Sequence, residues 1–226
     1  MESVLRLRPH IAAFDCDGTL WRGDAGERFF DWELRQDFFS PEIIHWARAR
    51  YSDYKKGIVP EEVMCGEMVT LHKGLKEDFV EQQAQRFFDG PFSKGIFPEM
   101  QNLVWQLQES GCQVWAVSSS NEWLIRIAMG HFGIPRAQIR AALGEVQEGE
   151  ITGKLLRVPS GHGKVLALTE AVEGEVDAAF GNSKWDTEML SFARHPFAVN
   201  PNPDLERTAK ERGWRIYYPD GVEQTV

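Results

Sequence analysis

Cysteine is scarce in this 226-residue chain. Cys16, Cys65 and Cys112 cannot close a set of intrachain bridges, and no metal-ligand spacing links them. Positive charge is also short: 25 Lys and Arg stand against 34 Asp and Glu, a formal net charge of −9. That balance excludes a nucleic-acid partner, because a phosphate backbone demands a cationic footprint. No apolar run reaches the length needed to span a bilayer, so no membrane partner is expected. Met1 to His10 holds no apolar core long enough for a signal peptide, and a reduced, cytoplasmic setting is the expectation. Gly/Ser tracts, proline-rich runs and repeats are missing too. What is present is ordinary for a globular protein, with 42% hydrophobic and 26% charged residues.

Five short apolar runs read as buried strands: Ile11–Phe14, Val114–Val117, Ala178–Phe180, Phe197–Val199 and Arg215–Tyr218. Helical patterns separate most of them. Pro98 opens one, with Met100, Leu103, Val104 and Leu107 as its apolar face and Gly111 beyond its end. Another runs from an Asn121 cap to His131, and a third starts near Gly163. Alternating strands and helices predict an α/β fold, a doubly wound parallel sheet covered on both faces.

Two segments break the alternation. Residues from about 24 to 95 are helical in pattern and rich in aromatics, with stripes at Phe30, Leu34 and Phe38 and at Ile43, Ala47, Tyr51 and Tyr54. Two further helices follow, one between Pro60 and Gly74 and one marked by Val80, Ala84 and Phe87. Four helices between the first and second strands predict a cap over residues 23–95, inserted in a Rossmann-like core of 1–22 and 96–226. The second break, Ala141–Leu155, predicts a hairpin flanked by Gly149 and Gly153.

The first strand runs into Asp15-Cys16-Asp17-Gly18-Thr19. Ligands of open parallel sheets bind beyond the carboxyl ends of the strands. Two carboxylates there, two residues apart, suit phosphoryl transfer: Asp15 can attack phosphorus, and Asp17 can protonate the departing alkoxide and later deprotonate water. An acidic turn is the plainer alternative. Ser118-Ser119-Ser120-Asn121 ends the second strand at a helix start, where hydroxyls and free N–H groups make a phosphate cradle or simply a cap. Lys164 can supply a fixed cation, and Asn182 and Asp186 offer hard oxygen ligands of the kind magnesium takes.

These four segments, in this order, resemble the haloacid dehalogenase-like (HAD) hydrolase superfamily, and most closely its phosphoserine phosphatase-like branch with a helical cap. Gly161-His162-Gly163-Lys164 and Ile151-Thr152-Gly153 fit that branch. The resemblance implies a magnesium-dependent phosphomonoesterase with Asp15 as nucleophile and Asp17 as general acid and base. It places Ser118, with Ser119, and Lys164 on the phosphate, and Mg²⁺ on Asp15, the Asp17 carbonyl and the last motif. That motif departs from the family: Gly181-Asn182 replaces the usual Gly-Asp pair, with Asp186 as the further acid. Asp17 favours phosphate esters over haloacids, since only an alkoxide must be protonated.

Asp24 lies nine positions after the nucleophile, where phosphoserine phosphatases hold the substrate amine. It also opens a capping box with Glu27. Trp21, Phe29, Phe30 and Trp32 are the candidates for an aromatic wall around such an amine. The expected partner is a small phosphomonoester, for example phosphoserine, phosphocholine or phosphoethanolamine. Phosphotransfer to a second alcohol, or a binding protein weakened by Asn182, are the alternatives. The oligomeric state is not legible.

Overall fold

The computed structural model describes residues 2–220. A seven-stranded sheet runs in the order β4-β3-β2-β1-β5-β6-β7. Its strands are β1 (Ile11–Phe14), β2 (Gln113–Asn121), β3 (Ile139–Gln147), β4 (Glu150–Arg157), β5 (Ala178–Gly181), β6 (His195–Val199) and β7 (Arg215–Tyr217). All pairings are parallel except β3 with β4, which is the hairpin expected at 141–155. The hairpin does more than turn. Through β3 it joins the main sheet beside β2, which the residue pattern did not reveal.

Alternate residues of each strand face opposite layers. Ala12, Phe14, Val114, Ala116 and Phe180 face one apolar cluster, and Ala13, Trp115, Val117, Ala179 and Ala198 face the other. The first cluster is closed by α6 (Pro98–Glu109) and α7 (Glu122–Gly130), which supply Leu103, Val104, Leu124 and Ile125. The second is closed by α8 (His162–Thr169), α9 (Thr187–Phe192) and α10 (Pro203–Arg212). A short α1 (Glu2–Leu7) precedes the sheet. Phe14 stacks on Phe180 at 4.1 Å and Phe180 on Phe197 at 4.9 Å, tying three neighbouring strands just below the site.

Between β1 and β2 come four helices: α2 (Ala25–Glu33), α3 (Pro41–Lys55), α4 (Glu61–Thr70) and α5 (Glu77–Phe87). They enclose a small core of their own built on Phe30, Leu34, Ala47, Val59 and Met64. A further cluster, Val69 and Val80 with Trp123, Ala142 and Ile151, fastens α4 and α5 to α7 and the hairpin. Arg126 of α7 adds ion pairs to Glu77 and Glu81 of α5. Ile43 departs from its expected stripe: it is 38% exposed, while Ala47 is sealed. No helix among the described residues is long and apolar enough to cross a membrane.

Candidate active site

Parallel pairing sets the site. Asp15 leaves β1 with its N–H donating to the Phe180 carbonyl, so the first and last acidic segments emerge side by side. The end of β2 lies on the other flank of β1. Gly18 turns the chain at φ +74°, and a Cβ there would run into the Asn182 amide. Only glycine permits both the turn and that approach.

Lys164, in the first turn of α8, is 2% exposed and uses all three of its protons. It donates to Asp15 Oδ1 at 2.6 Å, Asp186 Oδ1 at 2.6 Å and the Val117 carbonyl at 3.2 Å. The other Asp15 oxygen accepts from the Thr19 hydroxyl at 2.9 Å. Two buried carboxylates against one ammonium leave an excess of negative charge. Burial and the Asp186 charge raise the Asp15 pKa to about 7, against the opposing pull of Lys164.

Asp17 is held differently. Its Oδ1 accepts from the Trp21 indole N–H at 2.9 Å and the Ala25 N–H at 2.5 Å, and its Oδ2 from the Ser120 hydroxyl at 2.7 Å. Burial and then the Asp24 charge push this carboxyl to about 7, although all three donors favour its ionised form. Asp24 caps α2 by accepting from the Glu27 N–H at 2.7 Å, and it lines the pocket as well. Burial beneath the helices, with Glu27 and Glu61 nearby, raises it to about 6.

Asp15, Asp17, Asp24, Ser119, Lys164 and Asn182 all line one cavity of about 410 Å³. Ser118 does not reach its surface. It is 1% exposed beneath Ser119, and its Oγ accepts from the Ser120 N–H at 3.1 Å.

Four expected placements are corrected. Trp21 is not a wall of the pocket: it is fully buried, its ring edge-on to Phe88 at 5.8 Å and its N–H committed to Asp17. Phe29 and Trp32 likewise lie outside the lining, whereas Phe30 lies within it. Asp186 is not offered to a metal. Its Oδ1 takes Lys164, and its Oδ2 accepts the Asn182 N–H, the Ser183 N–H and the Ser183 hydroxyl. Thr19, Ser120, Glu61, Tyr51 and Tyr54 escaped the sequence reading. Thr19 and Ser120 sit inside the motifs themselves, and only tertiary packing brings the other three to the pocket.

The donor chemistry fits a magnesium ion. Asp15, Asp17 and Asn182 line one mouth, where acids outnumber Lys164. Among the described residues no three His, Cys, Asp or Glu side chains form a ready-made cage. Such a site suits an ion that keeps water and phosphate oxygens in its shell.

The sequence profile of the haloacid dehalogenase-like hydrolases matches residues 12–191, and the chain belongs to that family. A histidinol-phosphatase of Neisseria meningitidis serogroup C (strain 8013) is 28% identical across 92% of this chain and 97% of its own. Phosphatases and hydrolases recur among the named relatives, and the chain is a phosphoric monoester hydrolase. In fold it is similar to a protein of unknown function from Bordetella pertussis Tohama I, at TM-score 0.82 and 20% identity over 92% and 97% of the two chains. It is similar as well to a phosphoserine phosphatase seen as its phospho-aspartyl intermediate analogue, at TM-score 0.58 and 18% identity over 92% of each chain.

Proposed function

We propose that this protein hydrolyses a small, amine-bearing phosphomonoester through an aspartyl-phosphate on Asp15, with Mg²⁺ as cofactor. The observation that carries the reading is the pair Asp15 and Asp17 at the end of β1, facing one cavity, with Lys164 bonded to Asp15 and Ser120 to Asp17.

Asp15 is aimed by Lys164 and Thr19, which fix its two oxygens. In the first half-reaction an Asp15 oxygen forms a bond to phosphorus as the ester P–O bond breaks. Asp17 gives its proton to the departing alkoxide, which leaves as the alcohol. In the second half Asp17 takes a proton from water as the water oxygen bonds phosphorus and the acyl-phosphate P–O bond breaks. Inorganic phosphate leaves, Asp15 is restored and Asp17 again carries its proton. A carboxyl poised near neutrality serves both directions, and burial provides that poise.

A Mg²⁺ ion held by Asp15, the Asp17 carbonyl and Asn182 would supply positive charge to the phosphoryl oxygens. Lys164 supplies a second, fixed positive charge. Ser119 and the N–H groups at the end of β2 receive the remaining phosphoryl oxygens, with Ser118 supporting that turn from below. Asp186 acts through Lys164, holding the ammonium in place, and so is a positioning residue. Helices α2–α5, proposed as a cap over residues 23–95, exclude bulk water from the acyl-phosphate.

Phosphate release from a panel of phosphomonoesters with Mg²⁺, beside Asp15→Asn, tests the reading. Turnover that needs the ion and vanishes in the variant supports it. Folded protein that releases no phosphate from any ester contradicts it.

A further inference from the structure

We infer that Glu61, with Tyr54 and Asp24, forms a subsite for a cationic leaving group that carries no carboxylate. The substrate class is then a phosphorylated amino alcohol rather than a phosphorylated amino acid. The inference rests on the phosphatase reading above and narrows it.

The first ground is the charge around the cavity. Lys164 is the only basic side chain on its lining among the described residues, and its protons are all engaged by Asp15, Asp186 and the Val117 carbonyl. A substrate carboxylate would find no second basic side chain on that lining, and it would face four acids on the helical side: Asp24, Glu27, Glu33 and Glu61. Two of these are balanced. Glu33 Oε2 faces His72 Nε2 at 2.9 Å, with both side chains 1% exposed, and Glu27 meets Lys55 at 3.4 Å. Asp24 and Glu61 have no cation partner within ion-pair distance among the described residues.

The second ground is how Glu61 is held. It starts α4, is 8% exposed, and accepts from the Tyr54 hydroxyl at 3.2 Å and the Ser160 hydroxyl at 3.3 Å. Hydroxyls orient a carboxylate without neutralising it, and Lys164 acts on Glu61 only from beyond ion-pair distance. A buried charge in that condition is costly, and a charged ligand relieves it. The bonds also tie α3, α4 and the loop before α8 together, so the carboxylate is already in place before a ligand arrives.

The third ground is the surface around it. Tyr51 and Tyr54 lie 5.7 Å apart, Phe30 packs on Tyr51 at 5.6 Å, and Met64 and Met68 complete the roof. Aromatic faces and thioethers suit the carbon-bound side of an ammonium or imidazolium.

The test needs no variant at first. Propyl phosphate matches phosphoethanolamine in size but lacks its charge, and phosphoserine is phosphoethanolamine with a carboxylate added. Wild-type kcat/KM is expected to favour phosphoethanolamine or histidinol phosphate by about tenfold or more over both propyl phosphate and phosphoserine, the ratio a single partly buried charge contact gives. Glu61→Gln is then expected to shrink the ratio of cationic to propyl ester about tenfold, chiefly through KM, with Tyr54→Phe lowering it less. Equal rates on the cationic and propyl esters, or phosphoserine as the best of the four, would overturn the inference while leaving the phosphatase reading intact. A Glu61→Gln loss that is the same on every ester would overturn the assignment of Glu61. Failure of all four esters would instead strike the reading on which it rests.

Discussion

On the floor of the pocket each proton of Lys164 has an acceptor, Asp186 accepts four donors, and Asp15 is clamped from both sides. On the helical wall above, Glu61 is held only by hydroxyls. The floor meets its hydrogen-bonding demands internally; the wall leaves the Glu61 carboxylate with no cation at ion-pair distance among the described residues. That contrast separates chemistry from selection. A nucleophile must not wander, so the protein meets every demand of its surroundings in advance. A recognition surface keeps something unmet for the ligand to complete.

Substitutions at the two levels should therefore fail in different ways. Removing the nucleophile is the largest expected effect: Asp15→Asn should lower kcat about 10⁴-fold or more. Asp17→Asn should follow, losing about 10² to 10⁴-fold with little change in KM, as expected when proton transfer is lost and binding is kept. Steady-state kinetics on any accepted ester checks both, and a large KM effect from Asp17→Asn would blur the division between floor and wall. Lys164→Met should unfold the floor rather than merely slow it. Leaving Asp15 and Asp186 buried together without their cation should cost about 3–5 kcal/mol in denaturant unfolding, a loss that Mg²⁺ would partly offset. An unchanged midpoint would mean that the floor is not sealed as described.

The smallest effect belongs to the one buried ion pair of the wall. His72 faces acceptors with both ring nitrogens, the Val69 carbonyl at 3.1 Å and Glu33 at 2.9 Å. The Glu33 carboxylate raises the proton affinity of His72 against the effect of burial, and burial raises that of Glu33. Both shifts have the same sign, so folding takes up a proton that the unfolded chain has released above the ordinary histidine value. The His72 share of that stability is complete below about pH 6.5 and is lost as pH rises through the raised value, at a limit of about 1.4 kcal/mol per pH unit, while the Glu33 share is lost in the same direction from about pH 4.5 upward. Urea unfolding from pH 6.5 to 9 should show that decline, flattened by the double change Glu33→Gln, His72→Gln. A decline of the same slope in the double variant would place its origin elsewhere.

The same division decides what the sequence made legible. Floor residues sit in short motifs at strand ends, where chain order alone places them together once the sheet is parallel. Asp15, Asp17 and Asn182 were readable for that reason, and Lys164 from its glycine-flanked helix start. The wall is assembled from helices whose relative packing no local pattern encodes. Glu61 follows Pro60 and reads as an ordinary first-turn acid, and Tyr51 and Tyr54 read as the stripe of a helix core. Trp21 misled because an aromatic residue beside a nucleophile suggests a wall, while its indole N–H was needed by Asp17. Asp186 misled because an acid in the last motif suggests a ligand, while Lys164 and three further donors saturate it. In the fold, α9 and α10 and the place of β3 in the main sheet were not read. The first two are short or strongly polar, and the third depends on a pairing between distant segments.

The most direct test of the central claim is to trap the covalent intermediate. Protein mixed with a turned-over phosphomonoester and Mg²⁺, quenched in acid within a turnover and digested, should yield a phosphorylated peptide with the group on Asp15. The Asp15→Asn protein should yield none. Phosphate release with no labelled peptide, or a label on any residue other than Asp15, would contradict the account.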